Sequence, residues 1–86
     1  MNINELIAIV KKKLCDQINI ESIKIEDKSF LHKNHTGNQK DKFHLKISLV
    51  SSELKNLNKI ESNKKIYKVL DREIKEFIHS IQILII

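Results

Sequence analysis

The stretch FHLKISLV, residues 43–50, constrains the fold more than any other. Phe43, Leu45, Ile47 and Leu49 fall on one face and His44, Lys46 and Ser48 on the other, the period of two that marks a half-buried strand. The apolar face of such a strand needs cover, and two segments have the helical spacing to provide it. Ile3, Leu6, Ile7, Val10 and Leu14 form one stripe, and Asn2 and Glu5 stand at the spacing of a capping box. Lys11, Lys12 and Lys13 follow where the macrodipole favours cations, so the spacing predicts a helix over residues 3–16. Cys15, one residue off the stripe, reads as a small half-buried filler. The second stripe is Ile66, Leu70, Ile74 and Phe77, with Val69 beside it, and Ser62 is placed to cap one long helix through SNKKIYKVLDREIKEF.

Three further segments complete the order. In NIESIKIED, Ile23 and Ile25 alternate with Ser22, Lys24 and Glu26, a strand of roughly five residues. SSELKNLNKIES predicts a short helical turn and a connection. HSIQILII closes the chain as a strand, with His79, Ile81, Ile83 and Ile85 in phase and His79 at its very start, neither deep in the core nor freely solvated. The order is α-β-β-α-α-β. Residues 28–42 lose periodicity and collect His, Asn, Thr, Gly, Gln, Lys and Asp, which predicts a long loop. With 86 residues, no proline and one glycine, Gly37, the expectation is one compact α+β domain spanning residues 1–86.

A single cysteine excludes an intramolecular disulfide and any zinc site of four cysteines, or of two cysteines and two histidines, within one chain. The apolar runs Leu6–Val10 and Ile83–Ile86 are too short to span a membrane, and Glu5 interrupts what would be a leader. A reduced cytoplasm is the expected location. The net charge of +5 invites a nucleic-acid reading, with Lys59, Lys64, Lys65 and Lys68 as candidate phosphate contacts. A bland cause competes with it: joint enrichment in Lys, Asn and Ile, with one Arg, is what an AT-rich coding sequence produces. The helix acids Asp71, Glu73 and Glu76 alternate with Arg72 and Lys75 as a surface salt-bridge pattern, and no nucleophile–base pairing or phosphate-binding glycine loop is present, so no enzymatic activity is expected.

Histidine is the commonest neutral metal ligand, and three of the four histidines, His32, His35 and His44, fall within residues 30–48, with His79 far downstream. On alternation, His44 sits on the polar face of its strand, facing solvent or supporting the loop, and is not taken as a ligand.

Taken together, these segments resemble the BolA family. Asp27, Ser29 and His32 are similar to its D-x-S-x-x-H, and His32 and His35 to its H-x-G-H, with Asn34 in place of the glycine. His44-Leu45 resembles its HF, Leu49-Val50-Ser51 its LVS ending, and Ile78-His79-Ser80-Ile81-Gln82-Ile83 its IHALSI. Ser62-Asn63-Lys64 stands where many members have R-H-R before the V/I-Y pair, here Ile66-Tyr67, and only Lys64 keeps a charge, which weighs against DNA binding. The family's threonine-proline-x-x-tryptophan-like tail does not follow Ile83–Ile86, and the resemblance is accordingly expected to be to a short member nearer the IbaG-like branch or to a divergent lineage.

The resemblance implies a three-stranded mixed sheet with helices on one face, similar to a type II KH domain. It implies a monothiol glutaredoxin as heterodimer partner, with room for a weak homodimer. Between the two proteins a [2Fe–2S] cluster is shared, the glutaredoxin cysteine and glutathione holding one iron. Carried over to this chain, the other ligands are His79 and either His32 or His35, with His35, next to Thr36-Gly37, favoured. Imidazole in place of thiolate raises the reduction potential and makes ligation sensitive to protons. The competing expectation from the same resemblance is a DNA-binding stress-response regulator using the basic helix region.

Overall fold

The computed structural model describes residues 2–29 and 42–86. Among these residues the elements follow in the order α1 (Ile3–Gln17), β1 (Ser22–Asp27), β2 (Phe43–Val50), α2 (Ser52–Lys55), α3 (Lys59–Val69), α4 (Asp71–Glu76) and β3 (Ile78–Ile85). The strands form one mixed sheet in the order β1-β2-β3, β1 antiparallel and β3 parallel to β2. A parallel neighbour needs a long crossover, which α2, α3 and α4 supply. The register builds apolar rows across the sheet: Ile23, Leu49 and Ile85 in one, Ile25, Ile47 and Ile83 in the next. Leu6, Val10 and Leu14 of α1, with Leu54, Ile66 and Leu70, cover those rows, all of them buried.

Asn2 caps the helix as the spacing predicts: its Oδ1 accepts from the Glu5 N–H at 2.8 Å. The reciprocal bond differs from that of a capping box, since the Glu5 carboxylate accepts from the Asn2 side-chain amide, at 3.0 Å. Four expectations need correction. Glu73, read as one of a run of surface acids, is buried. Cys15 is exposed, because one step past Leu14 turns it away from the sheet. The helix after residue 58 is capped by Asn58, whose Oδ1 accepts from the Glu61 N–H at 2.8 Å, whereas Ser62 is buried and donates to the Leu54 carbonyl at 2.8 Å. Finally, the long helix is divided at Leu70, whose ψ of 16° leaves the helical region. The bonds from Leu70 to Ile66 and from Ile74 to Leu70 survive the division, so it is a bend.

The end of the sheet where β2 finishes is tied by polar contacts. Ser51 is fully buried, accepts from the Leu54 N–H and donates to the Asn19 carbonyl at 2.7 Å. Glu21 accepts from the Ser52 hydroxyl and N–H, and these bonds hold its carboxyl below the ordinary 4.5. Glu53 is lowered as well, first by its bond with the Lys65 ammonium and then by the Asn19 N–H. On the helical layer, Lys13 of α1 reaches Glu73 of α4 at 2.7 Å.

Candidate functional site

The opposite end of the sheet holds His44 and His79. Phe43 pairs with Ile78, but the next residue, His44, pairs with Ser80. One step on β2 is therefore matched by two on β3, and His79 is the extra residue of a β-bulge. Bulges are rare in parallel pairs and re-aim side chains where they occur. Here Ile78 and Ile81 both contribute to the core, although three residues apart, while His79 and Ser80 between them both meet His44. The His44 Nδ1 lies 2.6 Å from Ser80 Oγ, and the His44 and His79 rings meet edge to face, their centroids 4.9 Å apart.

This corrects two expectations. Extending the alternation of Ile81, Ile83 and Ile85 back to residue 79 puts His79 on the apolar face. The inserted residue breaks that phase, and His79 is exposed beside His44. His44 does lie on the face away from Phe43 and Leu45, but it is 7% exposed and does not face solvent. Its backbone is held from both sides. The Lys28 N–H donates to the His44 carbonyl at 2.7 Å, and the His44 N–H donates to Ser29 Oγ at 3.1 Å. Ser29 is fixed in turn by its own N–H, which donates to Asp27 Oδ1 at 2.9 Å. The acid and the serine of the motif thus close β1 and brace His44. The same end is tied to α4 through the Phe43 N–H, which donates to the Phe77 carbonyl at 2.8 Å.

His32 and His35 lie outside the described residues; in the chain they stand three and six positions beyond Ser29. The lysines proposed for phosphate contact do not form one stripe. Lys59 flanks a hollow with Lys55, Leu57 and Leu84, whereas Lys65 and Lys68 border another with Lys13 and Gln17. Lys65 is also engaged by Glu53. Ser80, and the role of His44 beside it, are what the sequence reading missed. The partners are 36 residues apart, so no local pattern joins them. One signal was available: Ile78 is apolar and stands three residues, not two or four, before Ile81.

The family model for BolA-like proteins matches residues 14–86. The chain belongs to the BolA-like family. Among BolA relatives, a protein of Haemophilus influenzae described as the DNA-binding transcriptional regulator BolA is 29% identical over 73 residues, which cover 85% of this chain and 68% of that protein. The fold is that of BolA domains of known structure. The BolA domain of SufE1 from Arabidopsis thaliana superposes with a TM-score of 0.76 at 23% identity, covering 91% of this chain and 86% of that one. BolA1 from the same plant gives 0.78 at 20% identity, covering 93% and 88%. At these identities the two structures speak for the fold alone. Among the described residues no helix is long and apolar enough to cross a membrane.

Proposed function

We propose that this BolA-like chain is a non-enzymatic partner of a monothiol glutaredoxin and lends histidine side chains to a [2Fe–2S] cluster held between the two proteins. The observation that supports it most is the exposed imidazole of His79, set outward by the bulge at the end of the sheet where the chain leaves Ser29 toward His32 and His35. Imidazole is a sound donor for iron, and an exposed one can reach metal carried by another protein. The donor set suits half a site. The described residues gather no group of three or more His, Cys, Asp or Glu side chains placed to hold a metal ion, and Cys15 belongs to the last turn of α1, which leads to the far end of the sheet. His79 would hold iron together with His32 or His35, and the glutaredoxin cysteine with glutathione would hold the other iron. Histidine ligation raises the potential of such a cluster above that of an all-thiolate one. What this chain itself does is keep one imidazole at a fixed strand position, outside its core and open to a partner.

The test is visible absorption and circular dichroism of cluster-loaded glutaredoxin titrated with this protein. A spectral change that saturates at one-to-one stoichiometry and is lost in His79→Ala is the expected result. An unchanged spectrum with the wild type overturns the proposal. Retention of the full change in both His79→Ala and the paired His32→Ala/His35→Ala variant overturns the ligand assignment.

A second reading, DNA binding, draws on the described role of the Haemophilus relative and on the exposed Lys59, Lys64 and Lys68. Lysines of this kind contact phosphate and specify little sequence. Under this reading, affinity for duplex DNA falls steeply with salt, and Lys64→Ala/Lys68→Ala makes that dependence shallower. Salt-independent or absent binding removes it.

A further inference from the structure

We infer that His44 is the positioning residue for His79, a role that rests on the reading of His79 as an iron ligand. A metal-binding histidine is normally oriented by a hydrogen bond from its other ring nitrogen to a carboxylate, carbonyl or water. Among the described residues no hydrogen bond of this kind holds the His79 ring; what meets it is the His44 ring, centroid to centroid at 4.9 Å and inclined by 60°. Edge-to-face is one of the two arrangements ring pairs prefer at this separation, so the contact with His44 is what orients the His79 imidazole.

For that, the supporting ring must itself be fixed, and His44 is. It is 7% exposed, its Nδ1 is hydrogen-bonded to Ser80 Oγ at 2.6 Å, and its backbone N–H and carbonyl are taken up by Ser29 and Lys28. Ser80 follows His79 directly on β3, so the bulge that turns His79 outward also delivers the hydroxyl that fixes its support. The His44 side chain thus meets two consecutive residues of the neighbouring strand, His79 through its ring and Ser80 through its hydroxyl. Ring orientation matters because the lone pair that binds metal lies in the imidazole plane, and a misdirected plane costs affinity without removing the ligand. Loss of a hydrogen-bonding orienting group lowers metal affinity by about 10- to 100-fold, and the lower end of that range is the scale for a ring contact.

The experiment uses His44→Ala, which removes the wall, His44→Phe, which keeps a ring and gives up the Ser80 bond, and Ser80→Ala. In the full chain without cluster, carbon-detected NMR of the His79 ring reports its order. A wild type with one ordered His79 rotamer, averaged in His44→Ala and restored in His44→Phe, is the expected result. A His79 ring as ordered in both His44→Ala and Ser80→Ala as in wild type overturns the inference. In the glutaredoxin complex, His44→Ala is expected to shorten the lifetime of the shared-cluster spectrum on the order of 10-fold while keeping one-to-one stoichiometry, with His44→Phe recovering most of it. An unchanged lifetime in His44→Ala also overturns it. Failure of the wild type to change the glutaredoxin spectrum would instead sink the shared-cluster reading, an outcome separate from the ring order measured without cluster.

Discussion

Ser29 and Ser51 perform related work at opposite ends of the sheet, each bonding backbone across elements distant in sequence. Ser51 satisfies a helix N–H and a loop carbonyl from full burial, so Ser51→Ala is expected to lose about 1–2 kcal/mol in urea unfolding, with the m-value unchanged. A loss below a few tenths would mean that water replaces the hydroxyl there. Single residues also show where sequence reading reaches its limit. The outward face of His44 was legible from alternation, but its burial was not, because burial depends on what lies opposite and no spacing rule describes that. His79 misled for a different reason. Its phase with Ile81, Ile83 and Ile85 is real in the sequence and is cancelled by one unpaired residue in the ladder.

Among the elements, α1 and β2 were legible almost to the residue, because their apolar periods are unbroken and their ends carry polar or charged signals. The bend at Leu70 was not, since the stripe Ile66, Leu70, Ile74 runs straight through it and neither glycine nor proline marks it. The start of α3 was misplaced because Asn58 and Ser62 are both competent caps, and only packing puts Ser62 inside. Asn58→Ala is therefore expected to lower stability by about 1 kcal/mol through the lost cap, measurable as a fall in the urea midpoint. The join between α1 and α4 allows a sharper check. Glu73 is 5% exposed on its side chain and Lys13 39%, and Glu73 Oε1 has no partner among the described residues. Lys13→Met strands a buried carboxylate and is expected to cost about 1–3 kcal/mol, while Lys13→Met/Glu73→Leu returns to within about 1 kcal/mol of wild type. Equal losses in the single and double variants would show that the pair itself, not the stranded charge, is what the helices need.

Across the molecule, the two ends of the sheet are tied differently: Glu21, Glu53 and Ser51 knit one end, while His44 and His79 meet at the other, braced by Ser29 and Ser80. The knitted end predicts an acid response. Glu21 and Glu53 have lowered carboxyl pKa values in the folded protein, so each contributes stability that is complete above about 4.5 and is lost as pH falls through the lowered value. Glu21→Gln/Glu53→Gln is thus expected to flatten the decline of unfolding free energy below that pH, read from urea titrations at successive pH values. Parallel profiles would show that these contacts are too hydrated to matter. The bulge at the other end has its own consequence, for how the strand tolerates editing. Taking one residue out of a β-strand ordinarily turns every later side chain to the wrong face. Here, excising His79 would bring Ser80 into step behind Ile78 and leave Ile81, Ile83 and Ile85 opposite Leu45, Ile47 and Leu49, as they already are. The shortened chain is expected to fold with its amide spectrum changed only near the excision: the strand would be mended by a deletion, and the outward-facing imidazole is the one part it could spare.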